Sequence, residues 1–250
     1  VKLLKALRVR LSQGTQYIPD LRDAQPSGFR GLPVIAEKPC ATGCTACRGV
    51  CPTSAVSLDP VRLDLGRCVF CSACVEACPE EKIRFTSEPK IAASQRDDLL
   101  VHEGAVERVR VKASATFTRL FGRSLKMRQL SAGGCNACEL ELNAAANVNF
   151  DAQRFGIEWV ASPRHADALV LSGPVTRTMR NAVELAWDSM PEPRFLVATG
   201  ACAISGGLYQ GAAGVDRAFL QSVGPALFVP GCPPHPLTFV NALLDFLGAD

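Results

Sequence analysis

The sequence predicts a mixed α/β chain in two unequal parts, and three observations carry that reading. From residue 125 onward, short apolar runs alternate with amphipathic stretches of helical period, the pattern of a parallel sheet covered by helices on both faces. Upstream the apolar runs shrink to a few residues and cysteines crowd in, eight of the twelve falling between positions 40 and 78. Charge divides along the same line. Residues 1–130 carry 21 Lys and Arg against 13 Asp and Glu, and residues 131–250 only 6 against 11, so the halves stand at +8 and −5. At 250 residues and 48% hydrophobic content the chain suits one or two domains, with a real core in at least one.

Taken in order, residues 1–35 form an arm. Leu3, Leu4, Leu7 and Leu11 recur at helical spacing between Lys and Arg, which predicts a short amphipathic helix, packed on this chain or a neighbour or lying on a membrane surface. The rest of the arm, bearing Pro and Gly without a clear period, is expected to lie extended over something else. Residues 36–90 repeat a unit of cysteine motif, short helix and strand. TSAVSLDPVRLDLG alternates as a hairpin would, and KIRFTSEP follows the second motif as its counterpart. So few residues bury little surface, so bound metal must supply much of this unit's folding free energy, and without it the segment should be unfolded.

Residues 91–124 read as a basic junction. SEPKIAASQRDD is polar and predicts a linker. Beyond it Arg108, Arg110, Lys112, Arg119, Arg123, Lys126 and Arg128 face only Glu107. Such a run is either a solvated helix face or a docking surface for a partner or for anionic lipid. No aromatic-and-basic platform accompanies it, which excludes a nucleic-acid interface. Residues 125–250 then give strands at KMRQLS, IEWVAS, ADALVLSG, RFLVATG and ALFVPG. Helices are expected at ACELELNAAANV, VTRTMRNAVELAWDSM and PLTFVNALLDFLG, giving a doubly wound, flavodoxin-like parallel sheet.

The cysteines fall in three groups of four. CVFCSACVEACP places Cys68, Cys71, Cys74 and Cys78 in a C-x2-C-x2-C-x3-C-P run, and CATGCTACRGVCP places Cys40, Cys44, Cys47 and Cys51 in a near copy. Three closely spaced thiolates can grip three irons of a cubane, while the fourth, before Pro, reaches the other cluster. Structural zinc instead takes two separated C-x2-4-C pairs. A disulfide scaffold would call for a secretory context that nothing here suggests. Cross-ligation assigns Cys40, Cys44, Cys47 and Cys78 to one [4Fe–4S] cluster and Cys68, Cys71, Cys74 and Cys51 to a second. Cys40, three residues rather than two before Cys44, fits the pattern least well. The last four, Cys135, Cys138, Cys202 and Cys232, lie on small-residue turns that each follow a predicted strand. In an open parallel sheet such turns converge outside the carboxyl ends of the strands. Four thiolates there make a soft donor set for a third cluster.

These motifs carry two resemblances. Residues 28–85, with GFRGLPV, LDLGRCVFCSACVEACP and two C-P endings, resemble the dicluster ferredoxin-type subunit of formate hydrogenlyase-like complexes. Residues 125–240, with GGCNACELE, FGIEWVASPRHADALVLSGPVT, GACAISGG and PGCPPHP, are similar to the small subunit of group 4 membrane-bound [NiFe] hydrogenases, whose relative in respiratory complex I is the 20 kDa, B-type subunit. The two subunits look fused here. In the complex I relative the first two cysteines are adjacent, whereas Cys135 and Cys138 are two residues apart, which favours the hydrogenase branch.

The resemblance implies an electron-transfer subunit serving H+/H2 interconversion, with a hydrogenase large subunit holding the nickel–iron centre. Membrane-arm subunits and a low-potential donor such as formate dehydrogenase or ferredoxin would be further partners. It also implies a cytoplasmic chain, peripheral on the inner membrane, since neither a twin-arginine signal nor an apolar run of ~18 residues is visible. Other readings are a quinone-reducing module without nickel and a ferredoxin-type carrier. Glu141 stands where related sequences carry an acid and is a candidate for proton movement. Glu139 better suits a helix N-terminal carboxylate. His235 is a candidate donor to a cluster sulfur or a rim histidine, and Arg164 and His165 are candidates to face the large subunit. ISGGLYQGAAG lacks the order of a nucleotide loop, so its glycines are expected to let backbone approach the cluster.

Overall fold

Two strands of the second half, ALVLS and FLVAT, are apolar at almost every position rather than at alternate ones, which is how strands covered on both faces read. The computed structural model, which describes residues 2–14, 16–105, 111–113, 115–122 and 124–248, buries every residue of both.

The first half is built from short pieces. α1 (Lys2–Gln13) leads into an irregular arm and then β1 (Pro33–Ile35). α2 (Ala46–Gly49), β2 (Val56–Ser57), β3 (Arg62–Asp64), α3 (Ala73–Glu76) and β4 (Ile83–Phe85) follow, and β5 (Leu100–His102) closes the unit. β1 pairs antiparallel with β4, and β2, β3 and β5 form an antiparallel sheet in that order. The expected hairpin is β2–β3. The second strand of the repeat, β4, takes its partner from the arm.

The segment expected as a linker is folded. Ile91, Ala92, Ala93 and Leu99 are buried, and Ala93 exchanges two backbone hydrogen bonds with Phe228, at 3.0 and 2.9 Å. Arg96 pairs with Asp64 at 2.7 Å, and β5 completes a sheet. The polar composition misled because Arg96 reaches back to Asp64 while the few apolar residues of the stretch face inward. In the basic junction, Glu107, Arg108, Arg110 and Arg123 lie outside the described residues. Of the others, Lys112 is tied by its backbone N–H to Ser94 Oγ at 2.8 Å, and Arg119 sits on α4 (Ala115–Phe121).

The second half contains β6 (Leu125–Ser131), α5 (Ala137–Ala144), β7 (Ile157–Trp159), β8 (Ala168–Ser172), α6 (Arg180–Asp188), β9 (Phe195–Thr199), α7 (Gly200–Ser205), α8 (Ala218–Val223), β10 (Leu227–Val229) and α9 (Pro236–Leu247). All five strands are parallel, in the order β10-β9-β8-β6-β7. Numbered within the sheet this is 2-1-3-4-5, the flavodoxin-like order. Met127, Val170, Val197 and Val229 pack on one face against α9 with Leu142 of α5 and Phe121 of α4. Leu169, Leu171 and Leu196 pack on the other against Val183 of α6 and Phe219 and Leu220 of α8.

α9 is buried along nearly its whole length, because the arm covers the side the sheet does not. Leu21 inserts into that core, Arg22 donates to Asn241 Oδ1 at 2.9 Å and pairs with Asp245, and Asn241 Nδ2 donates to the Leu21 carbonyl at 2.9 Å. The two halves share a third core, in which Ala198, Ala203, Ile204 and Phe228 meet Ile91, Leu65 and Val101.

Candidate iron–sulfur sites

β6, β9 and β10 end at Ser131, Thr199 and Val229, and the cysteines follow soon after each. Cys135 precedes α5, Cys138 lies in its first turn, Cys202 lies in α7, and Cys232 lies on the turn into α9. The chain can pack this tightly because of glycine. Gly200, at φ +86°, starts α7 where any Cβ would stand 2.7 Å from Cys138 Sγ, and a Cβ at Gly207 would stand 3.1 Å from Cys202 Sγ. Of the glycine-rich stretch after Cys202, Gly207 alone stands against a thiol; Gly206 meets Gln210, and Gly211 and Gly214 face open space.

The four thiols feel one another. Burial, then the charge of Glu139 and the thiols of Cys202, Cys232 and Cys135, push Cys138 up to about 12. Burial, then Cys232 and Cys135, push Cys202 up to about 11, with Arg217 pulling the other way. Cys232 is raised by burial and then by Cys135. Left alone, Cys138, Cys202 and Cys232 are protonated thiols; as thiolates they persist together only around a cationic centre.

The upstream thiols sort into two sets. Cys40, Cys44, Cys47 and Cys78 line one cavity together with Lys82. Cys47 is raised by burial and next by Cys78 and Cys40. Cys68 reaches about 12 through burial, with Cys74, Cys51 and Cys71 adding to it, and Cys74 about 11 through burial, then Cys51 and Cys71, with Cys47 of the first set adding after them. The fourth cysteine of each run therefore stands with the other run. The extra residue between Cys40 and Cys44 is absorbed in a turn, where the Cys44 N–H donates to the Ala41 carbonyl at 2.9 Å and Gly43 takes φ +73°.

Backbone N–H groups point at sulfur in both sets. Phe70 donates to Cys68 Sγ at 3.3 Å, Ala55 to Cys51 at 3.2 Å and Lys82 to Cys78 at 3.3 Å. The last two sit four residues past their cysteine, so the two C-P endings repeat in geometry as in sequence. All twelve thiols are free. Among the described residues, no three Cys, His, Asp or Glu side chains gather closely enough for a single metal ion. The spacing of the upstream runs suits a polynuclear iron–sulfur core better than the paired cysteines of structural zinc.

The remaining candidates divide. Glu139, in the first turn of α5, is buried and accepts from Ser172 Oγ at 2.6 Å. Burial pushes its carboxyl up, but the hydroxyls of Ser131 and Ser172 outweigh that and hold it below the usual range. Glu141 is half-buried and raised by burial. It shares a cavity of about 290 Å³ with Phe70, Cys232 and His235. His235 caps α9, its Nδ1 accepting from the Leu237 N–H at 3.1 Å, between Phe29 and Phe150 at ring-centroid distances of 5.2 and 5.6 Å. Burial lowers its pKa, so the neutral ring keeps its proton on Nε2.

Arg164 and His165 lie elsewhere. β7 pairs only with the first residues of β6, and Asp167 bonds Lys126 just before β8 begins. The turn carrying them is therefore at the amino end of the sheet, opposite the thiols. A longer β7, as IEWVAS suggests, would have put them at the cysteine end. Sequence reading passed over Arg217, which donates to the carbonyls of Cys202, Ala203 and Ile204 at 3.1, 2.8 and 2.9 Å. It closes α7 and sets a half-buried cation beside Cys202. Nothing in GVDRAF marks it out, because its partners are backbone.

Comparison with known proteins agrees with this geometry. The family model for the 20 kDa subunit of NADH ubiquinone oxidoreductase matches residues 135–246, and that for the 4Fe-4S binding domain matches residues 61–81. Formate hydrogenlyase subunit 7 of Escherichia coli is 42% identical over 134 residues, 54% of this chain and 52% of that one, so the chain spans about half that relative's length. The B-type subunit of NADH-quinone oxidoreductase from Desulfovibrio desulfuricans is 43% identical over 112 residues, 45% of this chain and 58% of that one. The probable membrane-bound hydrogenase subunit mbhJ of Pyrococcus furiosus is 35% identical over 133 residues, 53% of this chain and 80% of that one. Sharing four-fifths of that subunit's length, the chain belongs to the family of the 20 kDa subunit of NADH ubiquinone oxidoreductase.

Proposed function

We propose that the chain is an electron-transfer subunit of a membrane-associated oxidoreductase complex of the formate hydrogenlyase type, a ferredoxin-type subunit fused to a hydrogenase small subunit. In this reading residues 36–90 hold two [4Fe–4S] clusters, through Cys40, Cys44, Cys47 and Cys78 and through Cys68, Cys71, Cys74 and Cys51. Residues 125–250 hold a third through Cys135, Cys138, Cys202 and Cys232. The clusters, when bound, supply one-electron transfer. The chain's own part is to fix them: two by short loops whose N–H groups donate to sulfur, one by turns at the sheet's carboxyl edge. Gly200 and Gly207 bring backbone against that third set, and the C-terminal core excludes water behind it.

The convergence of Cys135, Cys138, Cys202 and Cys232 carries the proposal. A free ferredoxin-type carrier has no use for an added sheet that presents a further group of thiols at its edge. With all twelve cysteines committed, the nickel–iron centre belongs to a separate large subunit, and the reaction served is H+/H2 interconversion fed by a low-potential donor. The similar identity to the NADH-quinone oxidoreductase relative supports a second reading, a quinone-reducing module without nickel. Cys135-x-x-Cys138 favours the first. Isolating the complex anaerobically and assaying the adjoining polypeptide for nickel separates the two. Nickel near one per complex with H2 turnover is expected; a nickel-free complex that reduces quinone would overturn the hydrogenase reading.

A further inference from the structure

α1 makes no use of its best apolar residues within this chain. Leu3, Leu4, Leu7 and Leu11 are 74, 72, 50 and 83% exposed. At 100° per residue they fill a single arc of about a third of the helix. The opposite face, with Lys5, Ala6, Val9 and Gln13, looks onto the body of the protein across a cleft of about 540 Å³, which Arg10 at the boundary of the two faces also borders and whose far wall includes Tyr17 and Val148. The leucines are therefore turned away from their own chain, and the reading in which they pack on it is excluded.

Charge says what covers them. Arg8 borders the leucine arc on one side and Arg10 on the other, and Lys5 lies beyond Arg8. No acidic residue occurs before Asp20. A protein groove would ordinarily require a mixed rim. An apolar stripe edged on both sides by long cations, with no carboxylate among α1's own residues, matches an interface of acyl chains beneath anionic headgroups. We propose that α1 is a membrane-surface anchor, its leucine face set into the outer acyl region of an anionic bilayer with Arg8 and Arg10 at the phosphates. The inference does not rest on the electron-transfer reading, since it concerns lipid contact alone.

Flotation of the full chain, reconstituted anaerobically, with phosphatidylcholine vesicles with or without phosphatidylglycerol tests it. The chain is expected to float with the anionic vesicles, to be released by high salt and to stay behind with the neutral ones. Arg8→Gln with Arg10→Gln should weaken binding about thirtyfold, each cation near an anionic surface contributing ~1 kcal/mol. Leu4→Ser, Leu7→Ser and Leu11→Ser together should abolish it. These leucines are exposed, so iron content should stay at the parental level, and Leu185→Ser, an exposed leucine on α6, should float like the parent. Parental chain that ignores anionic vesicles, or a leucine variant that still floats, overturns the proposal. If the leucine variant instead loses only a partner polypeptide, the face is a protein-docking surface and lipid is the wrong occupant.

Discussion

The upstream and downstream thiol sites solve one chemical problem in opposite ways. Upstream, Cys68, Cys71, Cys74 and Cys78 lie within eleven residues on α3 and its flanking loops, and the surrounding strands are two or three residues long. Downstream, Cys135 and Cys232 are separated by nearly a hundred residues and are brought together by a sheet with a core on each face. In the first the thiols form part of a small fold's own core; in the second a larger fold gathers them at its edge.

Removing iron should separate the two most sharply. Anaerobic chelation is expected to abolish amide-exchange protection over residues 36–90 while β6 and β8 stay protected, because the cores they pack in hold no thiol. Cys47, Cys68 and Cys74, by contrast, are part of the core shared with the upstream strands. Simultaneous loss of both halves would mean that this shared core, through Ile204 and Phe228, couples them into one unit. Next in size is Cys232→Ser. It should leave the two upstream clusters reducible and, once the third cluster's spectroscopic signal is shown to be absent, stop turnover by the complex. Turnover near the parental rate would place the electron path elsewhere.

A smaller effect is expected at Arg217. Its cation favours the more negative, reduced state of a neighbouring cluster, so Arg217→Gln should lower the midpoint potential of the downstream cluster by tens of millivolts, leaving the upstream pair unmoved. Arg217→Lys should recover part of the shift. An unchanged potential, with altered stability only, would reduce Arg217 to the residue that closes α7.

The contrast also explains what could be read from the sequence. Local ligand spacing is visible in the chain itself, so the proposed exchange of Cys51 and Cys78 between runs is read from the sequence alone, whereas strands ending at Ser131, Thr199 and Val229 just before the downstream cysteines are as the apolar runs predict. Contacts made by backbone or by sparse apolar residues were not legible. SEPKIAASQRDD, residues 87–98, looks like a linker because Ile91, Ala92 and Ala93 are few among polar neighbours. Arg217 was silent because carbonyls leave no trace in side-chain pattern. Which end of the sheet carries Arg164 and His165 was not legible either, because β7 stops at Trp159, sooner than its apolar run suggests.

Iron and acid-labile sulfide in the anaerobically reconstituted chain test the central claim most directly. Three cubanes require about twelve of each per chain. A count near eight, or near-stoichiometric zinc in place of the missing iron, would contradict a third cluster at Cys135, Cys138, Cys202 and Cys232.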